Sequence, residues 1–254
     1  MSRIANGKVK PKDLKNNQLL LGLDGDYCEK HLQLLMRKYF SIDDHTEKNN
    51  LRKDINDTVK GLLINSLGGT PSEIEHLERL DCSANEEFFL WHTWFKDVFD
   101  KGGFDIVIGN PPYIGEKGHK EIFQPVKSDI HLGQYYLGKM DYFYFFFHLA
   151  FNMLSPHGVA TFITTNYYPT ALGARRLRAD IKDRMSIKTL FNLGELRLFE
   201  NAPGQHNMIS SFAKGKDGCK CQVIDVHKKG ALNPIMFTSI INHIDEDTTY
   251  ADVA

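Results

Sequence analysis

The sequence predicts an α/β fold, part of a doubly wound sheet preceded by a helical segment. Three observations predict it. Between Gly103 and Val226, short apolar runs alternate with stretches of helical period, in the order strand, helix, strand, helix, strand. The first of these runs, Gly103-Phe104-Asp105-Ile106-Val107-Ile108-Gly109, is apolar and β-branched, as expected of a buried, parallel strand. Ahead of it, two stretches carry apolar residues at helical spacing on a charged background.

Residues 1–18 are polar, rich in Lys and Asn and without period, and are expected to be loosely ordered. From Tyr27 to Phe40, Leu32, Leu35, Met36 and Tyr39 share one helical face. Leu51, Ile55, Val59, Leu62 and Leu63 make a second stripe, so an antiparallel helical pair joined through Ser41–Glu47 is expected. Gly68-Gly69 ends the second helix. Thr70-Pro71-Ser72-Glu73 then combines an N-cap, a proline at the first helical position and a capping-box glutamate, which predicts a short helix to about Leu80. Phe88, Phe89, Trp91, Trp94, Phe95 and Phe99 are expected to pack as core against the first strand. Gly115–Gly138 reads as a long loop carrying Lys117, Lys120 and Lys127, with His119 and His131 on the surface. Lys139–Leu154 reads as a buried aromatic helix, stopped by Ser155-Pro156-His157-Gly158. Val159–Thr165 is the next strand, Ala174–Met185 an Arg-rich amphipathic helix, and Ile187–Leu193, Asn207–Ala213 and Gln222–Val226 three further strands.

With 254 residues, 42% hydrophobic and 25% charged, the chain has the composition of a globular protein able to bury a sizeable core. Its formal net charge of −1 does not announce a nucleic-acid binder, so any surface that grips nucleic acid is expected elsewhere. Cys219-Lys220-Cys221 has no second pair at zinc-site spacing. The four cysteines are expected to be free thiols of a cytoplasmic protein, with no metal. No signal peptide is visible, and the densest apolar run, Tyr142–Leu154, is too short to span a membrane.

Chemistry concentrates where the first strand stops. Pro111 and Pro112 cannot donate to a ladder, and Pro111 holds Asn110 in an extended conformation at the strand's carboxyl end. Open α/β sheets bind ligands at that end. An adenine amine is a poor nucleophile, because its lone pair is delocalised into the ring. The Asn110 amide oxygen and the Pro111 carbonyl can each accept one of its N–H groups, which localises the lone pair. Tyr113 offers a flat face for the base, so loss of its hydroxyl alone (Tyr113→Phe) is expected to be nearly silent. Read as structure only, the same four residues are a Pro-Pro turn closing a strand.

The ordered set of segments resembles the catalytic half of a gamma-class N6-adenine DNA methyltransferase, in particular the methylase region of type IIG restriction–modification enzymes. The resemblance covers about residues 85–215. It rests on Gly103–Gly109 followed by Asn110-Pro111-Pro112-Tyr113, on Lys139-Met140-Asp141-Tyr142-Phe143, on Leu154-Ser155-Pro156-His157-Gly158 with Phe162–Asn166, and on Leu198-Phe199-Glu200-Asn201-Ala202. It implies a Rossmann-like methyltransferase sheet, S-adenosyl-L-methionine as cofactor and double-stranded DNA as partner. It also implies Asn110, Pro111, Pro112 and Tyr113 as catalytic residues, with Asp141 and Asn110 on the cofactor side. Tyr113 and Phe199 would sandwich the flipped base. Residues 1–84 would be a helical insert, 85–225 the catalytic half and 226–254 the start of a target-recognition region. A protein-glutamine methyltransferase, or a non-catalytic partner subunit, are the alternatives.

The departures are as informative. The family's glycine-rich cofactor loop should lie upstream, yet no Gly cluster opens a helix in residues 1–100; Gly22-Leu23-Asp24-Gly25-Asp26 comes nearest and lacks a preceding strand. The chain is therefore expected to be a catalytic half that an upstream polypeptide completes. No carboxylate cluster of nuclease type is present in the sequence.

Overall fold

The computed structural model describes residues 25–67, 71–83, 89, 91–129, 131–199 and 204–253. The arm at 1–18, the Gly68-Gly69 stop, the Thr70 cap, Phe88 and the segment Glu200-Asn201-Ala202 lie outside the described residues. The chain divides into two compact units, Met1–Lys96 and Asp97–Ala254.

In the first unit, α1 (Gly25–Ser41) packs on α2 (His45–Leu67), followed by α3 (Pro71–Arg79) and the single turn α4 (Trp91–Trp94). Asp44 starts α2. Its carboxylate accepts from the Glu47 N–H at 2.7 Å and its carbonyl from the Lys48 N–H at 3.0 Å, and Glu47 adds negative charge to the first turn. Leu51, Ile55 and Val59 are buried against Leu32, Leu35 and Met36, as their spacing predicts.

The aromatic segment departs from expectation. Trp94 lies 5.8 Å from Tyr39 and 6.4 Å from Phe40, and Phe89 and Phe95 join the same helical cluster. Phe99 turns to the first strand, 5.5 Å from Phe104. These rings sit at helical spacing beside two helices whose own stripes need cover. The units accordingly divide after Lys96, later than the boundary at 84/85 read from the sequence.

The second unit begins as α5 (Lys96–Phe99) leads into β1 (Phe104–Gly109). After it come α6 (Lys120–Ser128), α7 (Phe143–Met153), β2 (Leu154–Thr165), α8 (Arg175–Arg184), β3 (Met185–Asn192), the short β4 (Leu196–Arg197), β5 (Asn207–Lys214), β6 (Cys221–Val226), the short β7 (Gly230–Ala231), α9 (Pro234–Ile241) and β8 (Thr248–Val253). The main sheet runs β1-β2-β5-β3-β6-β8. β1 with β2 and β3 with β6 are parallel, whereas β5 is antiparallel to both its neighbours. Among the described residues no helix crosses over between β3 and β5, and a parallel return would need one. Residues 226–254, read from the sequence as the start of another region, return β8 to this same sheet antiparallel to β6. The segment 115–138 is not all loop, since α6 buries Phe123 and Val126.

The core lies between α7, α8 and one face of the sheet. Phe143, Phe147 and Phe151 recur every fourth residue along α7, and all three are fully buried. Phe147 is surrounded by Phe162 at 4.8 Å, Tyr168 at 5.4 Å and Phe212 at 5.6 Å. Along β3, Leu190 joins this core while Phe191 joins a second cluster with Ile224, Val226 and α9, because neighbouring strand residues face opposite sides.

β1 is different. Val107 packs into the core, but Ile106 and Ile108 are 70% and 76% exposed, and among the described residues β1 pairs on one side only, with β2. A flat apolar edge of this kind is a template for further pairing. The purified chain is expected to self-associate as its concentration rises, measured by sedimentation velocity, and Ile106→Lys/Ile108→Lys should suppress this. A monodisperse wild-type monomer at all concentrations would contradict it.

Candidate functional site

The proline pair ends β1 at the mouth of the sheet. Asn110 is exposed there, Pro111 is buried beneath it, and Tyr113 folds back half-buried against Phe143, ring centroids 6.0 Å apart. Neither proline has an N–H to continue the ladder. The Tyr113 hydroxyl instead reaches the Ile163 carbonyl of β2 at 2.9 Å and the Asn110 Oδ1 at 2.6 Å. Burial pushes the Tyr113 phenol up to about 12, opposed by the polar Asn207 side chain and reinforced by the Asp141 charge. The hydroxyl therefore stays protonated at neutral pH and ties Asn110 to β2.

Asp141 is brought to the same place through the backbone. Gly115 and Asp141 form an antiparallel bridge, the Tyr142 N–H donates to the Ile114 carbonyl at 2.8 Å, and the Glu116 N–H to the Met140 carbonyl at 2.9 Å. Asp141 precedes α7, and its Oδ1 is buried with no hydrogen-bond partner. Burial raises its pKa, against the backbone N–H groups of Ile114, Tyr142 and Phe143 that favour the ionised form. A buried acceptor without a donor is costly. It fits a ligand that brings an N–H or O–H. Phe199 is half-buried just after β4, and among the described residues no ring contact joins it to Tyr113. Four of the expected residues are thus contiguous at the mouth and a fifth, Asp141, is tied to them; Phe199 is not brought against them.

The wall beside the mouth is fastened twice. The Glu116 carboxylate is buried and takes the Tyr136 hydroxyl, while Lys127 lies 3.5 Å from it and 4.3 Å from the centre of the Tyr136 ring. Farther along, Tyr135 stacks on the buried His148 at 3.6 Å. The His148 Nδ1 is 2.6 Å from Asp180, which Arg184 holds at 2.5 and 2.7 Å. Gly173 closes the opposite side, where a Cβ would stand 2.1 Å from the Lys139 carbonyl oxygen, so only glycine allows that approach.

Burial works to raise the Glu116 pKa, but the Tyr136 hydroxyl, the N–H groups of Lys139 and Met140 and the Lys127 charge outweigh it, and the pKa is lowered in the folded state. A lowered folded pKa contributes stability that is complete above the unfolded value and lost as pH falls through the folded one. Glu116→Gln should therefore cost stability at neutral pH, and the difference from wild type should shrink as pH drops below about 4. Chemical denaturation at several pH values reads this; a difference that does not change with pH would contradict it.

Two features escaped sequence reading. Asn166 donates to Asn192 Oδ1 at 2.9 Å, and Asn192 to Asp225 Oδ1 at 2.8 Å, so a polar row crosses the sheet beside the mouth. Asn207, buried to 1% exposure at the start of β5, gives its side-chain N–H to the Thr164 carbonyl of β2 at 3.5 Å. The available signal was an asparagine opening a strand, a residue type that strands disfavour. Among the described residues, no group of three His, Cys, Asp or Glu could hold a metal ion, and no helix is long and apolar enough to cross a membrane.

The Eco57I restriction-modification methylase family model matches residues 14–199. Type II methyltransferase M.HincII of Haemophilus influenzae is 26% identical over 145 residues, which is 57% of this chain and 29% of that protein. M.HindII of the same species shares 26% over 145 residues and 28% of its own length. The chain thus spans under a third of the curated relatives it matches. Among solved structures, the type I restriction-modification methyltransferase subunit from Streptococcus thermophilus superposes with a TM-score of 0.45 at 15% identity, over 78% of this chain and 42% of that one. The type IIL enzyme MmeI in complex with DNA superposes with a TM-score of 0.42 at 14% identity, over 81% and 26%. The match over residues 14–199 is more than half of the sequence, and the chain belongs to the Eco57I restriction-modification methylase family.

Proposed function

We propose that this chain is the catalytic half of a cytoplasmic DNA adenine-N6 methyltransferase of the type IIG restriction–modification kind. The observation that carries the reading is the exposed Asn110 amide on the buried Pro111, at the carboxyl end of β1, with the Tyr113 ring beside it. S-adenosyl-L-methionine, when bound, supplies an electrophilic methyl group. The chain's own residues hold the nucleophile. Asn110 Oδ1 and the Pro111 carbonyl accept the two N–H groups of a flipped adenine's amine and direct its lone pair outward. Tyr113 and Phe199 pack against the ring. Direct displacement at a methyl group needs positioning and no strong base, so the site's burden is orientation. The buried Asp141 Oδ1 fits an N–H or O–H donor of the cofactor. The glycine-rich loop that would hold the rest of it is not found among the described residues, and an upstream polypeptide pairing on the open edge of β1 would supply it.

The test is methyl transfer to a DNA duplex by the chain combined with the polypeptide encoded upstream, followed by nucleoside mass spectrometry. N6-methyladenine is expected. Methylglutamine on a peptide substrate would favour the protein-methylating alternative, and no transfer to either would favour the non-catalytic subunit. Calorimetric titration of the chain alone should show weak or no S-adenosyl-L-methionine binding, and micromolar binding would mean that residues 1–100 hold the loop after all.

A further inference from the structure

We propose that Asn166 binds the flipped adenine, giving a side-chain N–H to N3, the nitrogen across the ring from the carbon that bears the amine. This rests on the reading of Asn110 and Pro111 as the groups that hold that amine. Asn166 follows β2 directly and is half-buried at the carboxyl end of the strand. Its side-chain nitrogen donates to Asn192 Oδ1 at 2.9 Å. The neighbours of Asn192 fix the direction of that bond. Asn192 Oδ1 also accepts from the Gly194 backbone N–H at 3.2 Å, and a backbone N–H can only give. The Asn192 nitrogen gives to Asp225 Oδ1 at 2.8 Å, and a carboxylate can only accept. Turned the other way, the Asn192 amide would set nitrogen against the Gly194 N–H and oxygen against the carboxylate. Asn166 therefore meets an oxygen, and must hold its own nitrogen toward it.

An amide nitrogen carries two N–H groups, and Asn192 takes one of them. Among the described residues the other has no acceptor, so it is a donor held in place and unspent. The backbone beneath it is held as well, the Asn166 N–H giving to the His206 carbonyl at 3.0 Å. β1 and β2 are parallel neighbours with Gly109 opposite Phe162, which sets Asn110 level with Ile163. Asn166 lies three positions farther out, about 10 Å at strand spacing. That is the reach of a purine with a hydrogen bond at each end. The side also suits the base. A polypeptide pairing on the open edge of β1 would bring the cofactor there, which leaves the β2 side of Asn110 for the adenine. With both amine N–H groups taken, the base has only ring nitrogens to offer, and these accept. N3 is the one that a donor across the ring from the amine meets.

The test pairs protein variants with altered bases in the methylating assembly, under single-turnover conditions. A duplex with 3-deazaadenine at the target, where C–H replaces N3, should react about 10-fold more slowly with the wild type, the loss of one hydrogen bond. Asn166→Ala should slow adenine about 10-fold and 3-deazaadenine no further, while its penalty on 7-deazaadenine stays whole. Asn192→Ala, which releases the donor without touching the base, should show the same pattern to a smaller degree. In the chain alone, NMR of 15N-labelled asparagine side chains should show an ordered Asn166 amide that becomes mobile in Asn192→Ala. Equal wild-type rates on adenine and 3-deazaadenine would overturn the proposal, and that measurement needs no variant to fold. Additive losses in Asn166→Ala, or a mobile Asn166 amide in the wild type, would overturn it too. If the wild-type assembly methylates no adenine, the functional reading fails and this proposal with it; methylation indifferent to N3 overturns this proposal alone.

Discussion

Asn110→Ala is expected to lower the single-turnover rate of DNA methylation by about 100-fold or more, with DNA affinity little changed. The measurement requires the assembly in which the chain is completed. The side chain is exposed at the mouth and buries almost nothing, so the variant should fold and melt as the wild type does. What it loses is the acceptor that localises the amine's lone pair, an interaction made best as the carbon–nitrogen bond forms. Asn110→Asp should be milder, since a carboxylate still accepts an N–H but is costlier to desolvate beside a base. It also still accepts the Tyr113 proton, so the wall contact at 2.6 Å survives the change. Full activity in Asn110→Ala would reduce the motif to a strand-ending turn and take the enzyme assignment with it.

Phe147→Ala is expected to cost about 3–5 kcal/mol of stability, the range for deleting a fully buried aromatic ring. Phe147 has no exposed surface, and three other rings lie within 5.6 Å of it, on β2, on β5 and at Tyr168. Phe162 and Phe212 are held by the sheet ladder and cannot collapse into the space, so the cavity term adds to the lost burial. Since whole domains are stable by only about 5–15 kcal/mol, the variant should be largely unfolded near body temperature. Guanidinium denaturation followed by circular dichroism checks this. Phe147→Leu, which keeps most of the volume, should recover much of the loss; a cost below about 1 kcal/mol for Phe147→Ala would mean that the aromatic cluster is not the core of this unit.

The hydroxyl of Tyr113 shows where sequence reading stopped. The ring, the prolines and the amide were readable from their order, because a Pro-Pro pair after a β-branched run can only be a strand end. That the hydroxyl spans from Asn110 to Ile163, fifty residues away, is a matter of which strands lie side by side. The sequence reading of Tyr113→Phe took only the ring face into account, because these partners are not neighbours in the chain. The aromatic segment before β1 teaches the same lesson: its rings were plainly core, but whether helix or strand would cover them depended on which surface lay nearest.

The stop read at Ser155-Pro156-His157-Gly158 is instead the opening of β2. By itself the sequence determined local features of this protein: the helical stripes around Leu51–Val59, the apolar runs that become strands, and the proline pair that ends β1. Each of these is encoded by neighbours a few residues apart, through propensity, period and fixed φ. Only the tertiary structure decided that β5 enters antiparallel between β2 and β3, that β8 returns to the same sheet, and that Asp141 lies beside Gly115 with a buried oxygen unpaired. Those are contacts between residues far apart in the chain, and they are set by which strand edges and apolar faces can be satisfied together. The orientation of the Asn110 amide belongs to this second class, because a freely rotating side chain takes its direction from partners that only the packed sheet brings within reach.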